Sequence, residues 1–202
     1  MKIVDNWNYL RGKLDFSDPS MFYMVQLQQR KKDDETFPAN NRTVKTFFIG
    51  SLQEYDALES EIKRLSDETK SRVYIRLNRR SYEHVALQVN KDLAQLLQDK
   101  NFQHLKNLVP SAAGNVCSEK KEDRLWLIDV DTDDKDNWTT LESRIVQWFA
   151  TFYRVNLIKF EVPTIHGVHL ITYKFDSDAF ETAFPKVAIH KDNPTLLYFK
   201  HE

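Results

Sequence analysis

The residues of this chain best suited to chemistry are two aspartates, two positions apart, at the end of an apolar run. In Leu125-Trp126-Leu127-Ile128-Asp129-Val130-Asp131 the two-residue period of an extended strand sets Asp129 and Asp131 on one face, with Trp126, Ile128 and Val130 on the other. Two carboxylates so placed offer hard oxygen ligands of the kind Mg²⁺ or Mn²⁺ prefers. In an empty site they repel one another and raise one carboxylate's proton affinity, a penalty that a bound cation reverses. A solvated strand end explains the same triplet, so the surroundings must decide. Asp133, Asp134 and Asp136 follow directly; acids ahead of a helix serve as caps and complement its dipole as readily as they ligate.

A second set is basic. In Arg72-Val73-Tyr74-Ile75-Arg76-Leu77, Val73, Ile75 and Leu77 share one strand face while Arg72, Tyr74 and Arg76 share the other, and Asn78, Arg79 and Arg80 follow. Guanidinium forks match phosphate oxygens and an aromatic ring can stack on a base, so this face suits a nucleic acid or nucleotide. A wet sheet face balanced by nearby acids is the competing reading. Arg30, Lys31 and Lys32, in a charged turn, carry the same pair of readings.

The elements that must position these residues follow from periodicity. Residues 22–28 and 43–49 read as strands, and Ser51 with Glu54 in capping-box spacing opens a helix through Leu52, Tyr55, Leu58, Ile62 and Leu65. After strand 71–77 comes a helix from Ser81 to about Leu97, then a helical piece near 102–108. Pro110 to Gly114 breaks the pattern, and the charged stretch 118–123 makes this the best internal boundary. Beyond it lie strand 124–131, a helix through Trp138, Ile145 and Phe149, strands 156–162 and 167–175, a short helix 177–184, and closing strands near 186–190 and 194–199. Trp138 and Trp148 suit core contacts better than base stacking.

Composition narrows the classes. With 202 residues, 41% hydrophobic and 29% charged, and only 4 Gly and 6 Pro, the chain is globular, not disordered or collagen-like. The single cysteine, Cys117, allows no intramolecular disulfide and no multi-thiolate metal site. A formal net charge of −1 gives no bulk attraction for nucleic acid, although the first 120 residues are slightly basic and the rest slightly acidic. With no signal-peptide pattern and no membrane-spanning run, the expected location is cytoplasmic, with no membrane partner. P-loop, dinucleotide-binding glycine and nucleophile-elbow patterns are absent from the sequence.

The Asp129/Asp131 strand, together with Gly167-Val168-His169 in the later segment Pro163–Thr172, resembles the archaeo-eukaryotic primase and primase-polymerase superfamily, in the form of a small phage or bacterial member. That family carries a metal-binding Asp-x-Asp strand and a small-residue turn ending in a histidine. The resemblance covers residues 20–200 and implies an α+β fold. An N-terminal α/β lobe (1–115) would pack on a split β-α-β-β-α-β, RNA-recognition-like unit (116–202) as one interlocked core, with substrates in the cleft between them. It further implies Asp129 and Asp131 as metal ligands for Mg²⁺ or Mn²⁺, and His169, not His166, as the catalytic or nucleotide-binding histidine. Arg76, Arg79 and Lys174 would supplement it at the phosphates. Partners would be nucleoside triphosphates, a single-stranded DNA or RNA template and replication proteins.

The sequence departs from that family at the third acid, which catalytic members carry on a late strand. Here the strand Pro194–Phe199 has none, and Asp192 just before it is the nearest substitute. The leading expectation is therefore a metal-dependent nucleotidyltransferase. The alternatives are a non-catalytic nucleotide- or nucleic-acid-binding replication accessory, or a phage or mobile-element protein that keeps the fold for interaction alone.

Overall fold

Two antiparallel sheets organise the protein in a computed structural model that describes residues 2–31, 33, 41–131, 135–192 and 194–201. The described elements of the first part are β1 (Lys2–Asp5), α1 (Trp7–Arg11), β2 (Met21–Arg30), β3 (Asn41–Ile49), α2 (Leu52–Thr69), β4 (Arg72–Ser81), α3 (Tyr82–Gln98) and, after a 3₁₀ turn at Phe102–Asn107, α4 (Leu108–Asn115). Those of the second part are β5 (Leu125–Asp131), α5 (Lys135–Tyr153), β6 (Ile158–Pro163), β7 (Gly167–Tyr173), α6 (Ser177–Ala183), β8 (Ala188–His190) and β9 (Thr195–His201). The sheet orders are β1-β9-β4-β2-β3 and β6-β7-β5-β8.

The first sheet is covered on both faces, by different layers. Val25, Leu27, Val73 and Ile75 alternate onto the face where α2 buries Tyr55 and Ile62. The Ser51 hydroxyl accepts from the Glu54 N–H at 3.2 Å, and the Glu54 carboxylate accepts from the Gly50 N–H at 2.8 Å, one residue earlier than a standard capping box. On the opposite face Phe22 and Met24 meet Val85 of α3 and Ala112 and Ala113 of α4. The stretch 110–114, expected to break the pattern, is helical in α4. Pro110 falls in the first turn, where its missing N–H costs no helical hydrogen bond, and the two fully buried alanines fix the helix on the sheet.

The second sheet buries Trp126, Ile128 and Val130 of β5 with Val168 and Leu170 of β7 against Ile145 and Phe149 of α5 and Phe180 and Phe184 near α6. Both helices thus lie on one face. The strand that closes this sheet is β8, whereas β9, whose counterpart 194–199 was expected as the late strand of this unit, pairs with β1 and β4 in the first sheet. The chain crosses back to do so, and the two sheets are stitched by polar links as well as by apolar packing. Asn6 Nδ2 donates to the Pro163 and Leu196 carbonyls, both at 2.9 Å. Asn78 exchanges two hydrogen bonds with the backbone of Leu125, at 2.9 and 2.8 Å. No described helix is long and apolar enough to cross a membrane.

Candidate functional site in the cleft between the sheets

The inner face of the second sheet changes character along its length. Cross-strand partners Leu125–Tyr173, Leu127–Ile171, Asp129–His169 and Asp131–Gly167 stand on it in that order. Leu127 and Ile171, with Phe160 and Val162 of β6, join the core that runs into the first sheet. The Asp129 and Asp131 end diverges from it. The alternation of β5 therefore seals the two sheets at one end and opens a cleft of about 360 Å³ at the other.

Gly167 permits the close pairing there. A Cβ on it would lie 2.0 Å from the Val130 carbonyl oxygen and 3.1 Å from the Asp131 Cα. Any side chain would push β7 off the carboxylate end of β5. The turn before it is tied by Thr164, whose Oγ1 accepts from the Gly167 N–H at 3.0 Å and lies 3.4 Å from Asp131 Oδ1. At the tip Ile165 packs with Val4, Tyr74, Leu196 and Phe199, so the β6–β7 hairpin reaches across to the first sheet and closes one side of the cleft.

His169 is held from both sides. Its Nδ1 lies 2.8 Å from Thr195 Oγ1 of β9, and its Nε2 lies 3.6 Å from Asp129 Oδ1, an electrostatic contact too long for a hydrogen bond. Burial lowers its pKa to about 4, with Asp131 opposing and His190 reinforcing the shift. The imidazole is thus neutral at pH 7. A proton on Nε2 favours the Asp129 side while Nδ1 accepts from the Thr195 hydroxyl. His190, opposite Leu127 across β8, lines the same cleft, as does the exposed His166.

The facing wall comes from one face of β2 and β4: Gln28, Arg30, Arg72, Tyr74 and Arg76. Each arginine is braced. Arg30 Nη1 donates to the Tyr74 hydroxyl at 3.0 Å. Arg72 forms a two-pronged bond to Asp33, at 2.7 and 2.5 Å, and its guanidinium lies 4.9 Å over the Phe199 ring. Arg76 donates from Nη1 to the Asp192 carbonyl at 2.5 Å, while its buried Nε has no hydrogen-bond partner among the described residues. Burial, then the neighbouring Arg80, lowers the Arg76 pKa from its usual value.

Of the residues singled out from sequence, Asp129, Asp131, His169 and Arg76 line this one cleft; Arg79, Lys174 and Asp192 do not. Arg79 bonds Glu119 at 2.6 Å and Asp15 at 3.0 Å, in a separate cavity at the sealed end. Lys174 is exposed just past the far end of β7. Asp192 accepts from Arg80 Nη2 at 2.5 Å and from Asn78 Nδ2 at 2.9 Å, so its carboxylate anchors the first sheet. Asp133 and Asp134 lie outside the described residues, as does Lys32, and among the described residues no three His, Cys, Asp or Glu side chains group as a metal site.

Sequence reading set Arg30 in a charged turn with Lys31 and Lys32, a phosphate contact being one of its two readings, without joining it to this wall, and it missed Thr195 as the partner of His169. A signal for Arg30 exists: along one face of β2 the side chains run Phe22, Met24, Gln26, Gln28, Arg30, apolar under α3 and α4 and polar where the cleft begins. No signal exists for Thr195, because it reaches His169 only through the crossing of β9 into the other sheet. No family model, curated protein or solved structure matches this chain.

Proposed function

We propose that the cleft binds a nucleoside triphosphate with a divalent cation, Mg²⁺ or Mn²⁺, and serves nucleotidyl transfer onto a nucleic acid, as the primase-polymerase resemblance implies. The observation that carries this reading is the opposition of two walls across one cleft: Asp129, Asp131 and His169 on one side, Arg30, Arg72 and Arg76 on the other. A triphosphate needs both. Its oxygens suit the positive charge of the arginine wall, in which the Arg72 fork is itself held by Asp33, and Asp129 and Asp131 would hold the cation, which when bound neutralises phosphate charge during transfer. Neutral His169 can donate one hydrogen bond to a phosphate oxygen without adding charge. The order strand-helix-strand-strand-helix-strand over 125–190, with both helices on the outer face, supports the RNA-recognition-like arrangement.

The test is incorporation of labelled nucleotide on a single-stranded template with Mn²⁺ or Mg²⁺. Incorporation abolished by Asp129→Ala and by Asp131→Ala is the expected result. No incorporation with either metal, any template or any nucleotide would sink the transfer reading.

A second reading, nucleotide binding without transfer, is favoured by one observation: the carboxylate of Asp192 is taken up by Arg80 and Asn78. Two carboxylates suit one hydrated cation better than a two-metal arrangement. On this reading calorimetry detects cation-dependent nucleotide binding, lost in Asp129→Ala/Asp131→Ala, in a protein that shows no turnover.

A further inference from the structure

Three glutamines stand close together on β2, and their side chains have different surroundings. Gln29, on the α2 side of the sheet, donates from Nε2 to the Thr69 carbonyl at the end of α2, at 2.8 Å. Gln26, on the opposite face, comes within 3.5 Å of the hydroxyl of its cross-strand partner Thr46. Gln28 shares the face of Gln26 and Arg30 and lines the cleft half-buried. Its side-chain amide makes no hydrogen bond to a described residue, whereas Arg30, Arg72 and Arg76 around it are all engaged.

The sheet order β1-β9-β4-β2-β3 sets where that amide lies relative to the acidic wall. β9 touches the wall, through Thr195 and His169. β4 comes next, with Arg72 and Arg76, and then β2, where Gln28 is the direct cross-strand partner of Arg72. Each step across the sheet is about 5 Å. Beyond the arginines in this direction the cleft is lined by Gln28 and, at its exposed rim, by Asn41, the two amide side chains among its described lining residues. An amide holds different groups from a guanidinium. Its carbonyl repels phosphate oxygens, while its N–H and C=O together match the adjacent donor and acceptor on the edge of a nucleobase, and a half-turn of the amide accommodates either order.

We propose that Gln28 holds the edge of the nucleobase, and so gives the cleft its preference for a nucleoside triphosphate over the triphosphate alone without choosing among the bases. This rests on the nucleotide reading of the cleft. The phosphates lie between the acidic wall and β4, and the base lies over β2. Any of the four nucleotides then fills the site, as transfer directed by a template requires; a cleft that distinguished the bases itself would suit one nucleotide only.

Calorimetry on the whole chain with Mn²⁺ tests it by comparing ATP, CTP, GTP and UTP with inorganic tripolyphosphate and with ribose 5-triphosphate, which lacks a base. The four nucleotides are expected to bind alike and about tenfold more tightly than the two base-free ligands, the size of one two-point amide contact. Gln28→Leu removes both hydrogen-bonding groups and brings the nucleotides down to the level of ribose 5-triphosphate. Tripolyphosphate binds this variant as before, which also shows that it folds. Gln26→Leu, on the same face one turn of the pleat away, leaves nucleotide binding unchanged. If neither tripolyphosphate nor any nucleotide binds the wild type, the nucleotide reading of the cleft falls and takes this inference with it. The role of Gln28 falls alone if the base-free ligands bind as tightly as the nucleotides or if one base is preferred tenfold. It falls alone, too, if Gln28→Leu binds nucleotides like the wild type, if that variant loses tripolyphosphate equally, or if Gln26→Leu loses as much.

Discussion

The two walls of the cleft are built to different rules. On the first-sheet wall every arginine is already engaged by the protein: Arg30 by Tyr74, Arg72 by Asp33 and Phe199, Arg76 by Asp192. On the second-sheet wall Asp131 is exposed, and Thr164 approaches it at only 3.4 Å. The basic wall is thus part of what holds the fold together, while Asp131 at the end of β5 contributes little to folding. Substitutions on the two sides should separate accordingly.

The largest effect belongs behind the basic wall. Arg80 is fully buried, donates to the Ala113 and Asn78 carbonyls and pairs with Asp192 at 2.5 Å. Asp192→Ala leaves that guanidinium without its counter-charge and should destabilise the protein by about 3–5 kcal/mol in urea unfolding. A loss below 1 kcal/mol would show that the wall is not structural, and the contrast between the walls would fail.

His169 gives the next effect, through pH. In the unfolded chain the imidazole takes up a proton near pH 6.5; in the fold it does so only near pH 4, because burial disfavours the charged form. The unfolded state therefore binds more protons between those values. The contribution of His169 is complete above pH 6.5 and is lost as pH falls toward 4, amounting to about 3 kcal/mol over that window. In His169→Asn the acid-side decline in stability should flatten by a comparable amount. Identical pH profiles for the two proteins would mean that the imidazole stays hydrated in solution and that the acidic wall is open down to β9.

How much of this was legible before the structure depends on the range of the interaction involved. The β5 faces, the Arg72-Tyr74-Arg76 face and the α2 cap were readable because alternation and capping are local in sequence. The helix at 108–115 was not, since Pro110 reads as a breaker until its position in the first turn is known. The separation of Arg76 from Arg79 and Arg80 was equally hidden. Arg79 meets Glu119 and Asp15, and Arg80 meets Asp192, contacts 40 to 112 residues away in the chain. The same long reach removed Asp192 from the cleft. β1 carries no clear alternation in the sequence, and of its four residues the structure buries one, Val4.

Gly167 ranks third. Replacement by Ala places a methyl group against the Val130 carbonyl, a backbone atom that cannot swing away. A cost of about 1–3 kcal/mol is expected, as for other overpacked sites, and the displacement falls on Asp131 and His169. Cation-dependent nucleotide binding should therefore fall more in this variant than thermal stability does. If Gly167→Ala loses stability yet binds nucleotide and cation like the wild type, the β5–β7 spacing is irrelevant to the site.

The smallest effect is the one that most sharply divides the walls. Asp131→Asn keeps the shape of the side chain and removes one negative charge from an exposed position beside Asp129. Stability should change by no more than about 0.5 kcal/mol, the range for surface substitutions remote from buried networks, and relief of like-charge repulsion makes a slight gain the expected sign. Over the same substitution Mn²⁺-dependent nucleotide binding should weaken at least tenfold, because half of the carboxylate ligand pair is gone. A variant destabilised by several kcal/mol would make Asp131 a structural residue like Asp192. A variant that folds and binds as before would remove the acidic wall from the site, and with it the reason to read this cleft as one for a cation and a triphosphate.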